Sequence, residues 1–150
     1  MRYPTLWEST SLLLVLILPT YADQNLIQAV QNSRNFSCKE PQNRAYNLQD
    51  LMQEVQQNSA ETPTHPAYII LKRCDAHSGC CHTTEMSCFP VTSWNYFEDV
   101  EIRIWNVETN KTRNIWIRIE QHRKCACEES NISDRIAQES RKPRIKILSP

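Results

Sequence analysis

The stretch that decides the fold runs from Arg73 to Cys88 and reads R-C-D-A-H-S-G-C-C-H-T-T-E-M-S-C. It holds four of the chain's seven cysteines, Cys74, Cys80, Cys81 and Cys88, and its only glycine, Gly79. Downstream, His122 to Cys127 (H-R-K-C-A-C) adds Cys125 and Cys127 as a Cys-x-Cys pair, while Cys38 stands alone upstream. An odd number of cysteines leaves one thiol either free or bonded to another chain. Whether the sulfurs pair, ligate a metal or act as nucleophiles depends on the compartment.

The N-terminus indicates that compartment. Ser11 to Leu18 is an apolar run behind a short segment carrying Arg2, and it is followed by Pro19 and Thr20-Tyr21-Ala22. That is the layout of a secretory signal peptide over residues 1–22, cleaved after Ala22. The run is far shorter than the roughly 20 apolar residues a membrane span needs, so no membrane insertion is expected. In an oxidising compartment cysteines pair, and in a small domain they replace part of the core. Three Asn-x-Ser/Thr triplets, at Asn35, Asn110 and Asn131, are the corresponding candidate glycosylation sites.

The 150 residues amount to one domain's worth of chain. Seventeen basic and seventeen acidic residues balance, which argues against a polyanion such as nucleic acid as partner. One glycine excludes a Gly-rich phosphate loop, and neither a nucleophile elbow nor a convincing carboxylate pair is present. The chain therefore reads as a non-enzyme without a cofactor. Zinc merits consideration because His77, His82 and His122 lie near cysteines. However, the cysteine pairs are Cys-Cys and Cys-x-Cys, tighter than the Cys-x(2–4)-Cys spacing of four-ligand zinc sites.

The organisation between the cysteines is a small, disulfide-rich, mainly β domain. Residues 23–37 carry Leu26, Ile27 and Val30 at helical spacing, a short amphipathic helix that must dock its stripe on a core or a second protomer. Asn47 caps a second helical pattern with Leu48, Leu51, Met52 and Val55 on its apolar face. Tyr68 to Leu71 reads as a strand. Val100, Ile102 and Ile104 alternate with Glu101 and Arg103, and Ile115, Ile117 and Ile119 alternate with Trp116, Arg118 and Glu120, which predicts a long hairpin turning at 108–113. Trp105 breaks the apolar-polar alternation and is a candidate interface anchor, the alternative being a tryptophan packed beneath a neighbouring loop. Residues 128–150 hold little apolar content and end in the basic run Arg141-Lys-Pro-Arg-Ile-Lys146, so a disordered tail is expected, a candidate for weak heparan sulfate contact.

The order Arg-Cys, Gly-Cys-Cys, a cysteine seven residues beyond the doublet, and His-x-Lys-Cys-x-Cys resembles the cystine-knot growth factors of the platelet-derived and vascular endothelial growth factor (PDGF/VEGF) family. The vascular endothelial branch is the nearer one. The resemblance spans about Asn25 to Cys127, with the knot domain over 38–127. It implies ring disulfides Cys74–Cys125 and Cys81–Cys127 with Cys38–Cys88 threaded between them. Gly79 would then leave room for the threading bond, and glycine also permits positive φ. Relative to the family pattern, Asp75 to Gly79 carries three extra residues, implying a larger, looser ring. Tyr68 stands where the family has the cysteine that bonds across the dimer to the residue matching Cys80, so Cys80 has lost that partner and is left unpaired, bonded to Cys80 of a second protomer, or capped by a small thiol.

By the same resemblance the chain is a secreted, homodimeric growth factor that pairs receptor tyrosine kinase ectodomains. The alternative is a secreted antagonist or mimic of the same fold. The receptor-contact positions carried over are Thr84 and Met86 before Cys88, and Arg103, Trp105 and Val107 on the hairpin. Leu26, Ile27 and Val30 are the implied dimer helix.

Overall fold

The computed structural model describes residues 24–56 and 58–148. The expected signal peptide, residues 1–22, lies outside them. The chain divides into two compact units between Ser37 and Cys38. In the first, residues 24–35 form helix α1, with Leu26, Ile27 and Val30 exposed along it.

The second unit is mainly β. In chain order it contains β1 (Gln42–Asn47), α2 (Leu48–Met52), β2 (Glu61–His65), β3 (Tyr68–Arg73) and β4 (Met86–Pro90). A single 3-10 turn (Thr92–Trp94) then leads to β5 (Tyr96–Asn106) and β6 (Lys111–Gln121), followed by β7 (Cys125–Glu129), α3 (Ile132–Ser140) and β8 (Ile145–Leu148). Three antiparallel sheets result: β1 with β3, β4 with β7, and a four-stranded sheet in the order β2-β5-β6-β8.

The hairpin β5–β6 is longer and tighter than its apolar alternation suggests. It pairs continuously from Tyr96↔Gln121 to Asn106↔Lys111, leaving a turn of only four residues, 107–110. Polar termini such as Lys111 and Thr112 carry no period-2 apolar signal, but cross-strand hydrogen bonds do not require one. Asn110 closes the turn at φ 53°, the left-handed region that asparagine tolerates better than most residues.

One face of this sheet is buried. Ile102, Ile104, Ile115, Ile117 and Ile119 pack with Ile69 and Leu71 of β3 and with Leu48 and Met52 of α2. Helix α2 is short because it is held at both ends. The Asn47 side chain accepts hydrogen bonds from the Gln49 and Asp50 N–H groups, and the last turn closes by Gln53 N–H to the Gln49 carbonyl. Strand β3 alternates, with Ile69, Leu71 and Arg73 inward and Tyr68 and Ile70 exposed. Trp105 is the apolar residue at an outward position that the alternation singles out: it stands on the solvent face beside Arg103 and does not slide under a loop.

The C-terminal segment differs from the expected disordered tail. Residues 132–140 form α3, started by a capping box in which the Asn131 side chain accepts from Asp134 N–H and the Asp134 carboxylate accepts from Asn131 N–H. Strand β8 then adds to the open edge of β6, setting Ile145 opposite Ile119 and Ile147 opposite Ile117. Two isoleucines are too few to signal a strand in a basic stretch. They suffice because β6 already presents both an unpaired edge and an apolar neighbour for each.

Candidate functional site: the knot and the surfaces it positions

Three disulfides organise the second unit: Cys38–Cys88, Cys74–Cys125 and Cys81–Cys127. These are the pairs that the family resemblance implies. Cys88 and Cys127 face each other in the β4–β7 ladder without bonding, and each bonds elsewhere, to Cys38 and Cys81. The sulfurs of Cys38, Cys81 and Cys127 lie within 4.8 Å of one another. All three are committed to disulfides, so this proximity is one bond passing close beside another and not a metal-ligand set. Cys38, Cys74, Cys88 and Cys125 form a buried cluster separate from the isoleucine core.

The three extra residues do not slacken the ring, contrary to expectation. Asp75 to Ser78 folds into a turn closed by Ser78 N–H to the Asp75 carbonyl, 3.0 Å. The buried Ser78 hydroxyl accepts from Asp75 N–H and lies 3.0 Å from the Arg73 carbonyl and 2.9 Å from Asp75 Oδ1. Arg44 of β1 clasps the Asp75 carboxylate through Nε and Nη2 at 2.8 and 2.9 Å. Burial alone would push the Asp75 carboxyl up, but hydrogen bonds from Arg44, Ser78 and His77 N–H outweigh it and hold it below its ordinary value. Gly79 does not take a positive φ. Its conformational freedom is therefore unused.

His122, noted in the sequence only as a possible metal ligand, is a structural hinge-pin instead. Its Nδ1 accepts the Cys74 N–H at 2.8 Å, and its own N–H donates to the Lys72 carbonyl at 3.0 Å. The Gln121 Oε1 accepts from Lys72 N–H. The ends of β3 and β6 are thus joined beside the Cys74–Cys125 bond. Burial first, and then the Arg73 charge, lower the His122 pKa to about 4. Glu120 is buried too; burial would raise it, but Arg144 and Asn95 hydrogen bonds bring it to about 2.

These shifts set an acid limit. Between pH 6.5 and 4 the unfolded chain protonates His122 while the folded chain does not, so stability is full above pH 6.5 and falls as pH drops towards 4. Glu120 adds a second loss between 4.5 and about 2. The His122 step is worth about 2–3 kcal/mol after allowance for partial screening. Melting temperatures measured from pH 7.5 to 4 should fall by roughly 10 °C or more in the wild type. The same curve should be nearly flat above pH 4.5 for His122→Gln, which retains an acceptor but does not titrate. Parallel curves for the two proteins would contradict this assignment.

Cys80 is the seventh cysteine, free and exposed. Its backbone is held, since Cys38 N–H donates to the Cys80 carbonyl at 3.1 Å. Tyr68 is exposed on β3 as well.

The contact positions expected from the sequence fall on two separate sheets. Arg103, Trp105 and Val107 lie along the solvent side of β5 and into its turn, and all three are exposed. Arg103 Nε donates to Asn114 Oδ1 at 3.3 Å, and Trp105 Nε1 donates to Asn110 Oδ1 at 3.2 Å. Neighbouring on this face are the exposed Trp116 and a bidentate pair of Arg118 with Asp99 at 2.7 and 2.8 Å. Thr84 is exposed ahead of β4, and Met86 opens that strand, half-buried. The sequence alone did not reveal that Arg135 of α3 donates to the Thr84 carbonyl, or that Gln138 Nε2 donates to the Cys88 carbonyl at 2.7 Å. Helix α3 is therefore laid along the knot strand beside these positions.

A model of the PDGF/VEGF domain matches residues 32–127. The chain belongs to the PDGF/VEGF family. Members of this family are non-enzymatic, secreted cystine-knot growth factors. Among solved structures, the chain is similar to the crystal structure of the orf virus NZ2 variant of VEGF-E, at 17% identity and a TM-score of 0.49, covering 61% of this chain and 86% of that one. No curated protein sequence matches. In this chain the disulfides tie β4 to Cys38, and β7 to Cys81 and to Cys74 at the end of β3, while the end of β6 joins the knot through hydrogen bonds of Gln121 and His122.

Proposed function

We propose that this chain is a secreted, dimeric growth factor that cross-links two receptor tyrosine kinase ectodomains of the PDGF/VEGF receptor type. The observation that carries the reading is the family's three-disulfide knot, joined through His122 to the base of a long hairpin whose solvent face exposes Trp105, Trp116 and Val107, large apolar groups that solvent alone does not favour there. The Leu26, Ile27 and Val30 stripe of α1 supplies apolar surface suited to a second protomer. An antiparallel pair of protomers would repeat each surface at both poles. A second receptor would then bind at the high effective concentration set by the membrane. Thr84, Met86, Arg103, Trp105 and Val107 are the contact positions on this reading. Among the described residues no helix is long and apolar enough to cross a membrane.

One observation favours a second reading, a secreted antagonist of the same fold. Cys80 is free, and by the family resemblance Tyr68 replaces the cysteine that would close a covalent dimer with it. The tail's heparan sulfate contact is weakened as a proposal, because Lys142 and Arg144 already pair with Glu54 and Glu120.

Light scattering of the secreted protein mixed with PDGF/VEGF-type receptor ectodomains separates the readings. The growth-factor reading predicts a dimer at micromolar concentration carrying two ectodomains. A strictly monomeric ligand holding one ectodomain would leave the antagonist, and binding to none of these receptors would overturn both.

A further inference from the structure

Trp105, Asn110 and Thr112 are brought together by the hairpin turn in a way that the triplet Asn110-Lys-Thr112 alone does not disclose. Thr112 is directly opposite Trp105 in the β5–β6 register, so both side chains rise from the same face of the sheet. Asn110 sits at the tip with φ 53°, and its Oδ1 accepts the Trp105 indole N–H at 3.2 Å. An indole nitrogen only donates, so the amide atom turned towards it is the carbonyl oxygen. The Asn110 Nδ2 consequently points away from the ring. All three side chains are exposed, and Trp105 retains 36% of its surface open to solvent.

We infer that Asn110 carries an N-linked glycan and that Trp105 is the positioning residue that holds its first sugar against the hairpin. The inference rests on the export reading. In the attachment step Nδ2 forms a bond to C1 of the first N-acetylglucosamine of a lipid-linked diphosphate oligosaccharide. The C1–O bond breaks, the lipid diphosphate leaves with the electron pair, and Nδ2 gives up one proton to a base of the transferase. The Oδ1 atom is untouched, so the indole hydrogen bond survives the modification and fixes the amide plane. The first sugar then grows from an anchored amide beside an exposed indole, whose face attracts the C–H edge of a pyranose much as it attracts other partly positive edges. The left-handed turn sets the amide over β5 at no further conformational cost.

The other two sequons also engage Oδ1, but with different donors: Asn131 Oδ1 accepts the Asp134 N–H and Asn35 Oδ1 accepts from Gln31 within α1, whereas at Asn110 the donor is an exposed indole. A glycan clasped at Asn110 leans on Trp105 and stands beside Val107, at the end of the hairpin's solvent face. On the proposed function a receptor would then meet Trp105 and Val107 together with the first sugar, and would meet Arg103 and Trp116 directly.

The test uses the full chain secreted from cells restricted to high-mannose glycans. Peptide mapping after enzymatic deglycosylation in heavy-oxygen water should find the Asn110 peptide labelled. Acrylamide quenching of tryptophan emission should be equal in the intact protein and in protein trimmed to a single N-acetylglucosamine, over a constant background from the exposed Trp94 and Trp116. It should rise after complete removal of the sugar and in Asn110→Gln, and that rise should vanish in Trp105→Ala. A chain secreted with Asn110 bare, or tryptophan quenching indifferent to the sugar, overturns the inference. A chain retained in the cell with all three sequons bare overturns the export reading and this inference with it.

Discussion

Replacing Cys38 and Cys88 together by alanine is expected to cost about 4 kcal/mol, the chain-entropy value for a loop of this size. The bond closes 50 residues of sequence separation, and Cys88 is fully buried. Both outer disulfides would remain. The double replacement is preferable to a single one, because one lone thiol beside Cys81 and Cys127 would invite disulfide exchange within 4.8 Å. Chemical denaturation at constant pH reads the effect, and much of the protein should fail to fold at 37 °C. A loss under 1 kcal/mol would mean that the two ring bonds hold the sheets without the thread.

The second large effect belongs to the other buried centre. Ile117 is fully buried in the middle of β6, paired with Val100 on one side and Ile147 on the other. Ile117→Ala should destabilise by about 3–4 kcal/mol through lost burial and a cavity that strands on both sides prevent from collapsing. Ile117→Val should cost about 1 kcal/mol. Denaturant midpoints of the two variants, with disulfides verified intact, should therefore separate clearly. If the alanine variant lost no more than the valine one, the isoleucine cluster would be subordinate to the knot. The two sites are in separate clusters, so their effects should add.

The sequence made the cysteine order, the central hairpin and α1 legible, because each depends on a short-range pattern. Cysteine spacing, period-2 alternation and helical periodicity all survive without knowledge of the fold. What stayed hidden depends on partners distant in the chain. Strand β1, Q-N-R-A-Y-N, has almost no strand signal and forms because β3 offers it a ladder and α2 follows it. Strand β8 forms against an edge 26 or more residues earlier. A histidine near cysteines raises metal binding, which the cysteine spacing argues against, but neither signal shows that His122 accepts one backbone N–H from Cys74. Its signal was its place immediately after β6, where the strand end meets the knot. The pinned Asp75–Ser78 turn was obscured for a similar reason, since its clamp, Arg44, lies 31 residues away.

The most direct test of the knot is a map of the cysteine-containing peptides from the unreduced, secreted protein. Cys38 should be found with Cys88, Cys74 with Cys125 and Cys81 with Cys127, and alkylation before digestion should label Cys80. Cys38 bonded to any other cysteine would contradict the threaded arrangement on which the positions of the hairpin and the Thr84–Met86 segment depend.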